Sequence, residues 1–397
     1  PNNGVSTMSD WSGLAKARFS IYPAAKAGDL VITEINYHPL GPTVDELMIN
    51  PNFVKEDFEF IELKNIGTTS VDLAGVRFTN GIAFSFAGSS VTTLHPGELM
   101  LVVKNLTAFR ARYGKVSYTA GQYTGNLDNG GENLRLDDAV GEIILDFDYQ
   151  DGWYPITDGF GFSLVILNEN AVADTWGTKA AWRSSTDAGG SPGQDDEASS
   201  GIPGVVINEA LTHADMSGRN AIELHNPTVS PVNVGGWFVT DDRSTPKKFR
   251  IPEGTIISAR GYLVFDEGDF KPTSPATTFG FSLSPTGGEL YLFSADADGN
   301  LTDYLHGFEF GAAENGVSFG RHVTSTGEEH FVAQLRPTLN AANAGPRVGP
   351  VIISELMYHP ADGDHEFLEL LNISGSTVRF YHPQHASDTW RVPGIAF

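Results

Sequence analysis

The stretch VITEINYHP at residues 31–39 returns as VVINEALTH at 205–213 and as VIISELMYHP at 351–360. Each copy is followed by a second matched run: EFIELKN at 59–65, AIELHNP at 221–227 and EFLELLN at 366–372. Glu209 and Glu223 are 14 residues apart, as are Glu355 and Glu369, whereas Glu34 and Glu62 are 28 apart. The extra length, GPTVDELMINPNFVKED, is an insertion between two matched strands and belongs in a surface loop, where added length costs little. The match continues outward. VDLAGVRFTN (71–80) parallels VNVGGWFVTD (232–241), and LHPGELMLVV (94–103) parallels ISARGYLVFD (257–266). GGENLRLDDAVGEIILDFDY (130–149) parallels GGELYLFSADADGNLTDYLHGFEF (287–310). A period of roughly 150–170 residues is too long for a solenoid unit and fits whole domains in tandem.

Within each copy the runs are short, β-branched or aromatic, and bounded by Gly, Asn, Asp and Pro about every ten residues, which predicts antiparallel strands. One helix is expected, LTAFRARYG (106–114), with Leu106, Phe109 and Tyr113 at helical spacing and Gly114 as its stop. Alternation along 59–64 puts Ile61 and Leu63 toward a core and Phe60, Glu62 and Lys64 on the opposite face. The same rule turns Ile222 and Leu224, then Leu368 and Leu370, inward. Asn65, Asn226 and Asn372 each end the second strand, where Asn tolerates a turn.

The chain of 397 residues is 40% hydrophobic, enough for two or three domains with their own cores. It has no cysteine, which excludes disulfides, thiolate metal sites and a thiol nucleophile. A net charge of −24 argues against phosphate backbones and anionic membranes as partners and favours hard cations or plain solubility. No apolar run reaches the length of a membrane helix. DAGGSPGQDDEASSGIPG (187–204) and TLNAANAGPRVGP (338–350) read as linkers. The expected organisation is 1–28 as the last strand of a preceding β-domain, full copies at 29–200 and 201–347, and the opening of a third at 348–397. The chain reads as a piece of a longer protein.

The ordered motif set, [VI]-I-x-E, then E-L-x-N, then [DN]-[LV]-x-G, then G-x-L-x-[LV]-V, resembles the lamin-tail domain family. That resemblance implies an all-β chain of tandem immunoglobulin-like sandwiches joined by short linkers. It also implies large exported bacterial proteins in which such copies stand beside hydrolase or CotH-type kinase domains. WSGLAKARFSIYP in the first 28 residues resembles the end of a chitobiase-C-terminal or fibronectin-like module. No catalytic residue is carried over, and the nuclear role of animal relatives has no coiled-coil rod here to support it.

The residues with chemical potential each have a plainer reading. Gly316-Val317-Ser318-Phe319-Gly320 fits the nucleophile-elbow pattern, which needs a helix after the serine; none is expected, so a strand is the simpler reading. Asp296, Asp298, Asn300 and Asp303 resemble a calcium loop, but their flanks are strands and a hairpin tip explains them. The pairs Glu34–Glu62, Glu209–Glu223 and Glu355–Glu369 have three readings. They accept backbone N–H bonds from loops, share a metal, or work as acid and base. Their occurrence in every copy favours the first. His359, His365, His382 and His385 cluster in the third copy at poor ligand spacing, and His38 and His359 precede proline at a strand end. Trp153, Trp176, Trp182, Trp237 and Trp390 are either core or a sugar platform, with Trp153 and Tyr154 the exposed candidates.

The expected function is a non-catalytic structural, adhesion or docking module, extracellular or on a cell surface. Its partners would be proteins or further copies of itself. The alternative is a carbohydrate-binding accessory region. Calcium is the one cofactor these residues suggest; nucleic-acid binding and membrane insertion are not expected.

Overall fold

The computed structural model describes residues 21–115, 117–196, 204–214, 219–271, 280–361, 363, 365–382, 384–390 and 392. The chain divides into two compact units, Pro1–Ile202 with Ser294–Leu305 and Pro203–Phe293 with His306–Phe397.

Among the described residues the first repeat contributes twelve strands: β1 (Leu30–Asn36), β2 (Phe60–Asn65), β3 (Val71–Asp72), β4 (Arg77–Asn80), β5 (Phe84–Ser85), β6 (Thr93–Leu94), β7 (Leu99–Val103), β8 (Thr119–Gln122), β9 (Asn133–Asp137), β10 (Ile143–Asp148), β11 (Leu164–Ile166) and β12 (Trp182–Ser184). One sheet runs β12-β11-β1-β2-β7-β8 and the other β10-β9-β4-β5, with β3 and β6 paired separately. All pairings are antiparallel except β7 with β8. Ile35, Ile61, Leu63, Phe78, Leu134, Leu136 and Leu145, contributed by both sheets, belong to one buried cluster. This is a β-sandwich of the immunoglobulin-like class, as the strand pattern predicts.

Two helices cover the outside. Helix α1 (Val44–Ile49) lies in the insertion, and α2 (Leu106–Tyr113) is the expected helix, ended by Gly114 at φ 72°. Asn105 caps α2 by accepting the N–H groups of Thr107 and Ala108.

In the second repeat, β13 (Val206–Leu211), β14 (Ala221–His225), β19 (Tyr262–Asp266), β22 (Ser318–Val323) and β23 (Glu329–Ala333) form a sheet ordered β19-β14-β13-β22-β23. Strands β16 (Phe238–Thr240), β17 (Phe249–Arg250), β20 (Gly288–Ala295) and β21 (Leu301–Phe310) form another, ordered β17-β16-β20-β21. Strands β15 (Val232–Asn233) and β18 (Ile256–Ile257) pair alone, and a short helix α3 spans Glu267–Phe270. The two glycines of the shared x-G are required for different reasons. A Cβ on Gly75 would lie 2.3 Å from Ala139 Cβ, whereas its counterpart Gly236 sits at φ 87°, a conformation that favours glycine.

The third copy supplies β24 (Val351–Met357) paired with β25 (Phe367–Asn372), and β26 (Tyr381–His382) paired with β27 (His385–Thr389). Leu370, expected inward, is 43% exposed because no further strand pairs with this hairpin among the described residues. Residues 1–20 of the proposed upstream strand lie outside the described residues. Ala24, further along that stretch, bridges Asp72 of β3, and Ala25 N–H donates to Asp72 O.

The sequence pattern underestimates burial of β2. Ile61 and Leu63 do enter the core, but Phe60 and Glu62 on the other face are equally buried. Phe60 packs with Leu101, Val103 and Phe109 under α2. The outer face of the sheet is covered, so alternation marks two interiors, not inside and outside.

Candidate functional site

The glutamate pairs meet as direct cross-strand neighbours in all three copies: Glu34 opposite Glu62, Glu209 opposite Glu223, and Glu355 opposite Glu369. Just before the first glutamate each copy has a β-bulge, between Ile32 and Glu34, Ile207 and Glu209, and Ile353 and Glu355. A bulge re-aims the side chain of its extra residue. That residue is Thr33, Asn208 or Ser354, and in each case it donates to the second glutamate. Thr33 Oγ1 lies 2.8 Å from Glu62 Oε1, Asn208 Nδ2 2.7 Å from Glu223 Oε1, and Ser354 Oγ 2.6 Å from Glu369 Oε1. These donors were invisible to motif reading, although their trace is plain: a small polar residue inside an apolar run, three times.

The remaining carboxylate oxygens are met by the segment that returns after the last strand. Ser191 N–H donates to Glu34 Oε1 at 3.0 Å, Ser191 Oγ to Glu34 Oε2 at 3.3 Å, and Ser163 Oγ also donates to Glu34. Gly193 N–H donates to Glu62 Oε2 at 2.6 Å. The second copy repeats the scheme. Thr338 N–H donates to Glu209 Oε1 at 2.9 Å, Thr338 Oγ1 to Oε2 at 2.8 Å, and Asn340 N–H to Glu223 Oε2. Gly193 and Asn340 hold the same place and both have positive φ, 86° and 66°. Only Gly, or Asn at modest cost, suits that conformation. Ser-Pro-Gly and Thr-Leu-Asn, within stretches read as linkers, are therefore closing latches of the two sandwiches.

Burial sets the electrostatics. Glu34 and Glu62 are 1% and 2% exposed. Desolvation pushes Glu34 up to about 7 and, with the Glu34 charge alongside, pushes Glu62 up to about 8. Hydrogen bonds from Ser163, Ser191, Gly193 and Thr33 oppose the shift without cancelling it. Burial raises Glu223 to about 7, and raises Glu59, which accepts from Tyr123 Oη and Leu127 N–H, to about 7.

A pH dependence follows. The unfolded chain loses these protons near the ordinary value of 4.5, whereas the folded chain holds them to about 7 or 8. The folded state therefore binds more protons in that window, and stability falls as pH rises through it. We expect the melting temperature to decline from pH 5 to pH 8. Glu62→Gln should flatten that slope, and the exposed Glu328→Gln should not. Equal slopes in the two variants would remove the pair from the explanation.

A cleft of about 430 Å³ opens beside the first pair, lined in part by Thr33, Lys64, Val165, Glu169, Arg183 and Asp195. Its charges are matched internally. Lys64 Nζ lies 2.8 Å from Glu169 and 2.7 Å from Asp195, and Arg183 Nη1 lies 2.6 Å from Asp196. All four carboxylate oxygens of the Glu34–Glu62 pair already accept hydrogen bonds. Acid–base work on a substrate would require breaking them.

The other candidates separate. Among the described residues no three His, Asp or Glu side chains come together as a metal-holding group. The Asp296 carboxylate instead closes a hairpin tip, accepting Asn300 N–H at 2.8 Å and Asn300 Nδ2 at 3.0 Å. Asp298 is exposed, and Asp303 lies within β21. We expect calcium and EDTA to leave the melting temperature unchanged; a rise with calcium that Asp296→Asn abolishes would restore the ion.

Ser318 is buried at the start of β22, and a strand continues after it, not a helix. His38 links the insertion to the body, with Nδ1 2.6 Å from Asp158 and Nε2 2.7 Å from Lys55. His359 and His365 are exposed, and the side chains of His382 and His385 lie outside the described residues. Trp182, Trp176 and Trp237 are buried. Trp153 and Tyr154 are half-buried, not the exposed platform expected: Trp153 stacks on Trp182 at 6.4 Å and Tyr154 Oη donates to Trp182 O.

Asn65, Asn226 and Asn372 act through their side chains, not through a left-handed backbone. Asn65 Nδ2 donates to Thr69 O and Leu94 O while its Oδ1 accepts Gly67 N–H; Asn226 and Asn372 bond Ser230 O and Ser376 O in the same way.

The Lamin Tail Domain family matches residues 23–151 and 198–308. The chain belongs to this family. No curated protein and no solved structure matches it. Both lamin-tail matches stop before β11 and β22, the strands that flank β1 and β13, and before the latch of their own copy. The tandem repeats, the sandwich fold and a fit to a non-catalytic structural module are what membership supplies.

Proposed function

We propose that this chain is a structural and docking segment of a large exported bacterial protein, without catalytic activity of its own. The observation that carries the reading is the state of the glutamate pairs. The residues most like a catalytic dyad accept hydrogen bonds from their own domain, in the same pattern, in both complete copies. Such a domain is a stable scaffold on which loops and insertions are displayed. The acidic surface, at net charge −24, keeps such an array soluble. Extracellular or cell-surface placement and adhesion to protein partners complete the proposal.

The test is deletion of residues 29–347 from the parent chain. The expected result is loss of surface retention or partner capture, with any enzymatic turnover carried elsewhere intact. Loss of turnover that Glu34→Gln with Glu62→Gln reproduces would overturn the non-catalytic reading. Selective binding of the purified chain on a glycan array would replace it with a carbohydrate-binding role.

A further inference from the structure

The insertion between β1 and β2 is built as a rigid platform that presents apolar side chains to solvent. The second repeat joins the same strands with half the spacing and still closes its sheets, so the fold does not require it. Helix α1 is too short to hold itself together, and its order comes from outside. Thr43 and Glu46 form a reciprocal capping box. Arg112 of α2 grips Glu46 through Nε and Nη2, both at 2.9 Å. The same guanidinium donates to Leu40 O and Gly41 O at 2.9 Å and lies 3.5 Å from the Phe58 ring centroid. Phe53, Phe58 and Ala108 form a small core beneath.

On this anchored base the outward residues are apolar. Val44, Met48 and Ile49 are 76%, 73% and 60% exposed, and Leu47 and Val54 are 36% and 53% exposed. Val44 with Leu47 and Val44 with Met48 stand three and four residues apart on the helix, so they form one stripe. Isolated exposed apolar residues are ordinary, but a stripe on a fixed element marks an interaction surface. The segment that carries it is net acidic: Arg112 offsets Glu46 and Lys55 pairs with Glu56 at 3.9 Å, which leaves the exposed Asp45 and the half-buried Asp57 without an offsetting cation among these groups. A second copy of this chain, at −24, would be repelled.

We propose that the α1 platform docks a basic protein segment, one that inserts aliphatic or aromatic side chains over Val44 and Met48 and borders them with Lys or Arg. The partner reads the stripe by apolar burial and the rim by charge.

The test uses the full chain as bait for a random peptide display library, counter-selected against the Val44→Ser/Met48→Gln double variant. Both positions are solvent-exposed, so this variant keeps its fold and its net charge. The expected clones combine apolar residues with excess Lys and Arg. By calorimetry they bind the double variant at least about tenfold more weakly, as loss of an interface anchor predicts. They bind Asp45→Asn/Glu56→Gln several-fold more weakly, and the difference shrinks in high salt. Recovery of no such clones, of neutral or acidic clones, or of clones indifferent to the double variant would overturn the proposal. So would sedimentation showing a dimer of the wild-type chain that the double variant dissolves, because the occupant would then be a second copy.

Discussion

Glu34→Ala should lower the melting temperature of the first sandwich by roughly 6–12 °C and release the latch that follows β12. The substitution leaves Ser191 N–H without its acceptor and takes from the Ser163 and Ser191 hydroxyls theirs. Each buried donor stranded in this way costs about 1–3 kcal/mol. Removing a carboxyl whose own burial is unfavourable offsets part of that, so a net loss of about 3 kcal/mol is expected. In a domain of this size each kcal/mol moves Tm by about 2–4 °C.

The distinguishing readout is local. Amide exchange should rise over 187–196 well before it rises in β1 or β2. Gly190→Ala approaches the same contact from the other side. Its Cβ would fall 2.0 Å from Glu34 Oε1 at a backbone φ of +73°, so the same exchange pattern should appear. Unchanged exchange over 187–196 in both variants would mean that the latch is held by something other than the carboxylates.

Trp182→Ala should be the most damaging single change in the first sandwich, costing about 3–5 kcal/mol and roughly 10–15 °C in Tm. Trp182 is fully buried on β12 and stacks on Phe147 at 5.6 Å and Trp153 at 6.4 Å. Its Nε1 donates to Trp176 O at 2.6 Å, and its carbonyl accepts from Tyr154. Trp182 thus joins the strand edge, the two neighbouring tryptophans and the loop carrying Tyr154 into one packed unit. Trp182→Phe keeps much of the stack and loses the hydrogen bond, for a loss of about 1–2 kcal/mol. Trp390→Ala, at a position 47% exposed, should be nearly silent. Thermal scans of the three variants decide the matter: equal effects at 182 and 390 would show that the aromatic cluster is not a centre of stability.

Glu34 and Trp182 serve the same architectural problem. A sandwich made of short strands must close its last strand against its first. Here that closure combines apolar packing around Trp182 with a polar latch on Glu34 and Glu62. The pH dependence expected of the pair follows from placing carboxylates under that closure.

Local pattern by itself determined the repeats, the strands, helix α2 and the meeting of each glutamate pair. Those features depend on residues close in sequence or on alternation along one strand, and the chain records them directly. The reason for Asn65 and its counterparts was only half legible: position predicted a turn, but the side-chain bonds that make it required the neighbouring loop. That the glutamates accept loop N–H bonds was legible from their recurrence, but the segments that donate those bonds were not. Ser191 lies 157 residues from Glu34, and Thr338 lies 129 from Glu209. Composition cannot separate a Gly-Pro-Ser stretch that folds onto a sheet from one that spans a gap, because both need the same backbone freedom. Burial on both faces of β2 was hidden for the same reason. Alternation reports two environments, and only the packing of α2 and the latch decides that both are interior.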